Sequence, residues 1–144
     1  MSGAASCELC GLVGGLPVWA RDDLRVVRVE DPAFPAFYRV IWNEHVAEFS
    51  DLAAADRHRC LDVVAIVELT LRRQLAPTKV NLASLGNMTP HLHWHVIARF
   101  DWDSHFPHPI WAPAQRDADV TRMQRLRASL TDLDRAVGAA LADL

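Results

Sequence analysis

The residues best suited to chemistry lie together in Pro90-His91-Leu92-His93-Trp94-His95-Val96-Ile97. An extended chain sends successive side chains to opposite faces, so His91, His93 and His95 are expected on one face while Leu92, Trp94 and Val96 enter a core on the other. Thr, Lys or Glu would keep an exposed face soluble equally well, so three alternating imidazoles point to function. One zinc shared by all three is a poor fit, because His91 and His95 stand about 13 Å apart at roughly 3.3 Å per residue. A metal-dependent hydrolase using His93 and His95 as ligands, completed by a distant group, stays open. Phosphoryl or nucleotidyl transfer suits the spacing better. A neutral imidazole is a nucleophile for phosphorus near pH 7, and a neighbouring imidazolium can hydrogen-bond a non-bridging oxygen. His93, in the middle, is the expected nucleophile, with its other ring nitrogen fixed by a backbone carbonyl or similar acceptor, and His95 is expected to hold the phosphate.

A second group is Cys7-Glu8-Leu9-Cys10, one of whose readings is a pair of metal ligands and another a redox pair. A closed structural zinc site would need two further ligands. The third cysteine, Cys60, falls on an apolar helical stripe and reads as core. His58, between Arg57 and Arg59, reads as solvated, and His105 and His108 read as surface imidazoles.

These groups need elements to hold them. Residues 7–23 are Gly-rich and loop-like, broken by Gly11, Gly14, Gly15 and Pro17. Strands are expected over residues 24–30, 37–42, 79–85 and 91–100, with Pro32 and Pro35 making a turn between the first two. Residues 50–75 form the first long helix, capped by Ser50 or Asp51, with Cys60, Val64, Val67, Leu71 and Leu75 on its apolar stripe and Pro77 ending it. Residues 101–113 carry too many prolines for a strand or helix and read as an ordered loop whose aromatics, Trp111 among them, are buried against a core or an interface. A final helix from about residue 117 carries Val120, Met123, Leu126, Leu130, Leu133, Val137 and Leu141 at helical spacing. The sum is an α+β fold, an antiparallel sheet flanked by helices with an additional C-terminal helix. The domain expectation is a single unit over residues 1–144, with 1–23 as an N-terminal zinc-binding loop and 115–144 as the C-terminal helix.

The composition excludes several classes. A chain of 144 residues, 51% hydrophobic and 23% charged, is long enough for one buried core and is neither disordered nor fibrous. A net charge of −3 offers no general attraction to a nucleic-acid backbone, and with fourteen Arg to one Lys any phosphate chemistry relies on Arg, His, Asn or backbone donors. No apolar run approaches the roughly 20 residues of a membrane span, and the opening residues lack signal-peptide order, so the expected location is the cytoplasm.

His91-Leu92-His93-Trp94-His95-Val96-Ile97 resembles the His-φ-His-φ-His-φ-φ pattern of the histidine triad (HIT) superfamily of nucleotide hydrolases and transferases. The resemblance runs from residue 7 to about residue 110. It implies a usually dimeric protein that binds a purine nucleotide and cleaves at the α-phosphorus of a nucleoside phosphate derivative, such as a dinucleoside polyphosphate or phosphoramidate. The route it implies is a covalent nucleotidyl-histidine that water resolves, with no organic cofactor. By position, the nucleophile falls on His93 and the phosphate-binding histidine on His95. An upstream Asn of the substrate site falls on Asn81, and Asn87 and Thr89 occupy the turn before the triad. Zinc-bearing relatives place a histidine ligand after the second strand and complete the site with the first histidine of the triad. The implied structural zinc set is therefore Cys7, Cys10, His45 and His91. A nucleotide-binding regulatory module with little catalysis is the rival from another class.

Overall fold

A computed structural model describes residues 4–144. After a four-residue helix α1 (Glu8–Gly11) come β1 (Leu16–Ala20), β2 (Leu24–Arg28) and β3 (Phe37–Trp42). A 3-10 turn (Phe49–Asp51) then leads into the long helix α2 (Ala54–Leu75). The hairpin strands β4 (Lys79–Ala83) and β5 (His93–Arg99) follow, and α3 (Val120–Ala128) and α4 (Leu130–Leu141) end the chain. All strand pairs are antiparallel, in the order β1-β2-β3-β5-β4. The α+β expectation and its C-terminal helix are met.

The sheet has two unlike faces. Leu24, Val26, Tyr38, Val40, Val80, Val96 and Ala98 point one way and pack under α2 and α4, against Val63, Val64, Val67, Leu71, Leu133, Val137 and Leu141. Cys60 is buried in this same core, where burial pushes its thiol up to about 11 and leaves it unreactive. The other face carries His93 and His95 of β5 and, across the register, Ile41 and Arg39 of β3. Two smaller apolar clusters cover its flanks: Leu9 on Val27 and Ile41, and Phe34 with Phe37 and Ile97.

Several boundaries differ from expectation for identifiable reasons. Residues 16–20, expected as loop, form the edge strand β1. Pro17 is tolerated there because an outer strand leaves one row of amides unpaired, and the pairing shifts register between Pro17 and Trp19. The long helix starts at Ala54, because Ser50 and Asp51 are spent in the 3-10 turn, where Glu48 and Asp51 form a reciprocal capping box. It ends in Ala76, held in the left-handed region at φ 45° before Pro77. The single C-terminal helix is two, interrupted at Ser129, and Asp119 caps the first through the amide of Arg122. The strand expected from residue 91 begins at His93.

Candidate active site and metal centre

His91 leaves the alternation expected of it. Its amide donates to Thr89 O and the next amide, of Leu92, to Val46 O, so His91 sits in a turn below the strand. Its fully buried ring donates from Nε2 to Trp42 O at 2.5 Å, which leaves a lone pair on Nδ1. That atom lies 3.5 Å from Cys7 Sγ and 3.5 Å from Cys10 Sγ, and Cys10 Sγ lies 3.3 Å from His45 Nδ1. The four ligand atoms fall within 4.8 Å of one another. Zinc bonds of about 2.3 Å to sulfur and about 2.1 Å to nitrogen at a tetrahedral angle place neighbouring ligand atoms roughly 3.5 Å apart, so the cluster has the size of a tetrahedral site. The donor set fits as well, with two soft sulfurs, two imidazole nitrogens and one tautomer fixed by a backbone acceptor. The knuckle that carries both cysteines is tied down by Arg25, which donates to Leu9 O, Leu12 O, Val13 O and the Asn43 side chain.

His93 and His95 stay on the strand, with ring centroids 4.9 Å apart. His93 Nδ1 donates to His91 O at 2.6 Å, the carbonyl partner expected from the sequence, so its lone pair is on Nε2. Burial holds this imidazole below its ordinary range; the carbonyl hydrogen bond opposes the shift and the charge of Arg39 adds to it. The strand behind it is pinned where Ser84 Oγ donates to His93 O. Burial, reinforced by His93 and Arg39, lowers His95 to about 4. His95 is therefore a neutral imidazole at pH 7, not the imidazolium expected. It is only 6% exposed and ringed by His93, Phe37 at 5.3 Å and Trp111 at 5.4 Å, and its Nδ1 is buried without a partner.

Asn81 is on the same sheet face, since it pairs with Ile97 two residues beyond His95. Its Oδ1 accepts from Arg99 Nη1, which turns the amide nitrogen outward as a donor. Asn87 is exposed and Thr89 partly buried in the turn before His91, and among the described residues neither side chain has a hydrogen-bond partner. Arg99 is itself a buried hub. It pairs with Asp103, donates to His108 O and faces the rings of Phe34 and Phe106. Asp103 in turn accepts from the amides of Phe100, His105 and Phe106. This clamp brings the Pro-rich loop over the histidine face. It places Trp111 against His95 and His105 against Phe34, so His105 is partly buried and not a surface imidazole. His58 is exposed, as expected. The sequence reading passed over Phe37, Arg39 and the Arg99–Asp103 pair. A charged residue inside an otherwise apolar strand, Phe-Tyr-Arg-Val-Ile-Trp, was the available signal for Arg39.

An antiparallel sheet with helices on one face and paired strand imidazoles on the other is the architecture of a histidine triad protein. A family model described as the HIT domain matches residues 17–102, and the chain belongs to that family, whose members are generally nucleotide hydrolases and transferases. Solved structures share the fold. A histidine triad (HIT) protein from Sinorhizobium meliloti is 21% identical, covering 92% of this chain and 99% of that one, with a TM-score of 0.68. A Zn-bound histidine triad family protein from Mycobacterium smegmatis is 18% identical, covering 98% and 99%, with a TM-score of 0.63. A histidine triad protein from Marinobacter aquaeolei is 22% identical, covering 87% and 92%, with a TM-score of 0.67. A search of curated proteins gave no match.

Proposed function

We propose that the protein is a nucleotide hydrolase or nucleotidyl transferase that attacks the α-phosphorus of a nucleoside phosphate derivative through His93. The observation that carries this reading is the 2.6 Å hydrogen bond from His93 Nδ1 to His91 O, which leaves the lone pair on Nε2, on the histidine face of the sheet. In the first step Nε2 forms a bond to phosphorus and the bond to the leaving group breaks, the leaving atom keeping the electron pair and taking a proton from solvent. The imidazolium so formed keeps its Nδ1 proton on the His91 carbonyl. In the second step water adds to phosphorus, the P–N bond breaks with its electron pair returning to Nε2, the surplus proton of the water passes to solvent, and nucleoside monophosphate is released with the imidazole restored. His95 offers an N–H to a non-bridging oxygen, with the Asn81 amide and the turn bearing Asn87 and Thr89 as further donors.

The Cys7, Cys10, His45 and His91 cluster supports a structural zinc, which would tie α1 to the start of β5 and fix the His91 carbonyl that orients His93. Among the described residues His93 and His95 belong to no metal-ligating group of three, so the metal-dependent alternative gains no support. The remaining parts of the reading are a purine nucleotide substrate, a cytoplasmic homodimer and one domain across residues 1–144. Incubation with radiolabelled dinucleoside polyphosphate or adenosine phosphoramidate should give an acid-labile adduct that disappears in His93→Ala, while that variant still binds AMP. Near-normal turnover by His93→Ala would sink the nucleophile assignment. Tight AMP binding with no adduct and no turnover over hours would leave a binding module instead.

A further inference from the structure

Strand β3 is apolar except for Arg39. In the antiparallel register Arg39 stands directly opposite His95, so the two side chains rise from the same sheet face about 5 Å apart at their Cβ atoms. A guanidinium in such a place normally has a carboxylate. Among the described residues this one has none within ion-pair distance. Glu8 is the acidic group whose field reaches it, and no ion pair forms between them. Arg39 Nη1 donates to Gly14 O at 3.1 Å, and Arg39 Nε is buried with no acceptor. His95 Nδ1, on the residue directly across the ladder, is buried without a hydrogen-bond partner as well. Two desolvated nitrogens without partners, on residues that face each other across the ladder, are costly until a polar group meets them, and the Arg39 N–H needs an acceptor. The guanidinium is also held in place. Gly14 sits at φ +93°, where a Cβ would stand 2.9 Å from Leu9 and 3.0 Å from Ile41, so the carbonyl that anchors Arg39 is set by a turn only glycine fills.

A phosphoryl group under attack gathers negative charge on its non-bridging oxygens, and the stabilising charge is most effective when fixed in advance. His95 is neutral in the free protein and brings a hydrogen bond without a charge. We propose that Arg39 and His95 together form the oxyanion subsite for the phosphoryl group at His93, with Arg39 supplying its permanent positive charge. This deepens the reading above and rests on it. The planar fork of Arg39 suits a phosphoryl group, which a lysine ammonium would meet only as a point charge.

The test compares AMP and adenosine binding by calorimetry to the full-length protein, its Arg39→Met variant and its Arg39→Lys variant. Arg39→Met should weaken AMP by at least about tenfold, the loss expected for one charge-assisted hydrogen bond, and leave adenosine unchanged. Arg39→Lys should recover part of that loss. If Arg39→Met does not fold, Arg39→Lys alone decides, by weakening AMP and not adenosine. AMP affinity in either variant within error of wild type, or equal losses for AMP and adenosine, would overturn the subsite. Adduct formation separates this inference from its parent. AMP binding that depends on Arg39, without any acid-labile label on His93, would fail the chemistry and keep the subsite. A normal adduct with AMP binding indifferent to Arg39 would do the reverse, and a wild-type protein that binds no AMP would end both.

Discussion

Two backbone carbonyls set the tautomers of two histidines, Trp42 O for His91 and His91 O for His93, and in doing so they leave one lone pair on Nδ1 toward the cysteines and the other on Nε2, the nitrogen proposed to attack phosphorus. His95 has no such partner and is governed by burial. The folded protein holds it at about 4 through desolvation, with His93 and Arg39 adding, whereas an unfolded histidine titrates near 6.5. Between those values the unfolded chain binds a proton that the native state does not, so stability is lost as pH falls from about 6.5 towards 4. His95→Gln should therefore lose roughly 1–2 kcal/mol less than wild type between pH 7 and pH 5 in urea unfolding. Parallel losses would show that His95 is not buried as described. At this scale the sequence read well where local rules decide. Alternation placed His93 and His95 on one face and Trp94 and Val96 on the other. His91 was expected inside the strand and lies just ahead of it, because the amides of His91 and Leu92 donate to Thr89 O and Val46 O, the latter 46 residues from Leu92 in the chain.

At the scale of elements, the C-terminal helix pair is fastened to the sheet by a polar knot. Asp134 of α4 accepts from Tyr38 Oη at 2.6 Å and from Arg28 Nε at 2.9 Å, although Tyr38 is fully buried. Asp134→Ala strands both donors and should cost about 2–4 kcal/mol, while Tyr38→Phe leaves the Arg28 pair intact and should cost about 1 kcal/mol, both measured by urea unfolding. The reverse order would show that the helix is held by packing alone. The other fastening is the proposed zinc. Metal analysis should give about one zinc per chain for wild type and near none for Cys10→Ser, and a strong chelator should lower the melting temperature of wild type alone. A wild-type content near zero, unchanged by added zinc, would remove the metal. Elements with a strong local signal, β3 and the body of α2, were legible in the sequence. Strand β1 was not, because Pro17 and the preceding Gly14 and Gly15 argue against a strand unless the strand is known to lie at an edge. The break at Ser129 was also hidden, since the apolar spacing runs through it and the stop is marked by bonds inside the turn, from the Ser129 amide and Oγ to Leu126 O.

For the whole molecule, strand order leaves the outer edge of β4 unpaired, and Leu82 on that strand and Leu69 on α2 are 44% and 40% exposed. An open edge beside exposed leucines is a surface that pairing with a second copy would cover. Light scattering should give twice the chain mass, and Leu82→Glu should shift the protein towards monomer; a dimer unaffected by that change would place the interface elsewhere. Among the described residues no helix is long and apolar enough to cross a membrane. The Arg99 hub reaches across this scale too. One guanidinium holds the edge strand through Asn81 and the loop through both Asp103 and the His108 carbonyl. A wall stapled at several points to the sheet it faces resists swinging away from it. On the reading proposed above, release of a nucleotide from beneath such a wall would follow how firmly the pocket grips its occupant rather than the opening of a lid.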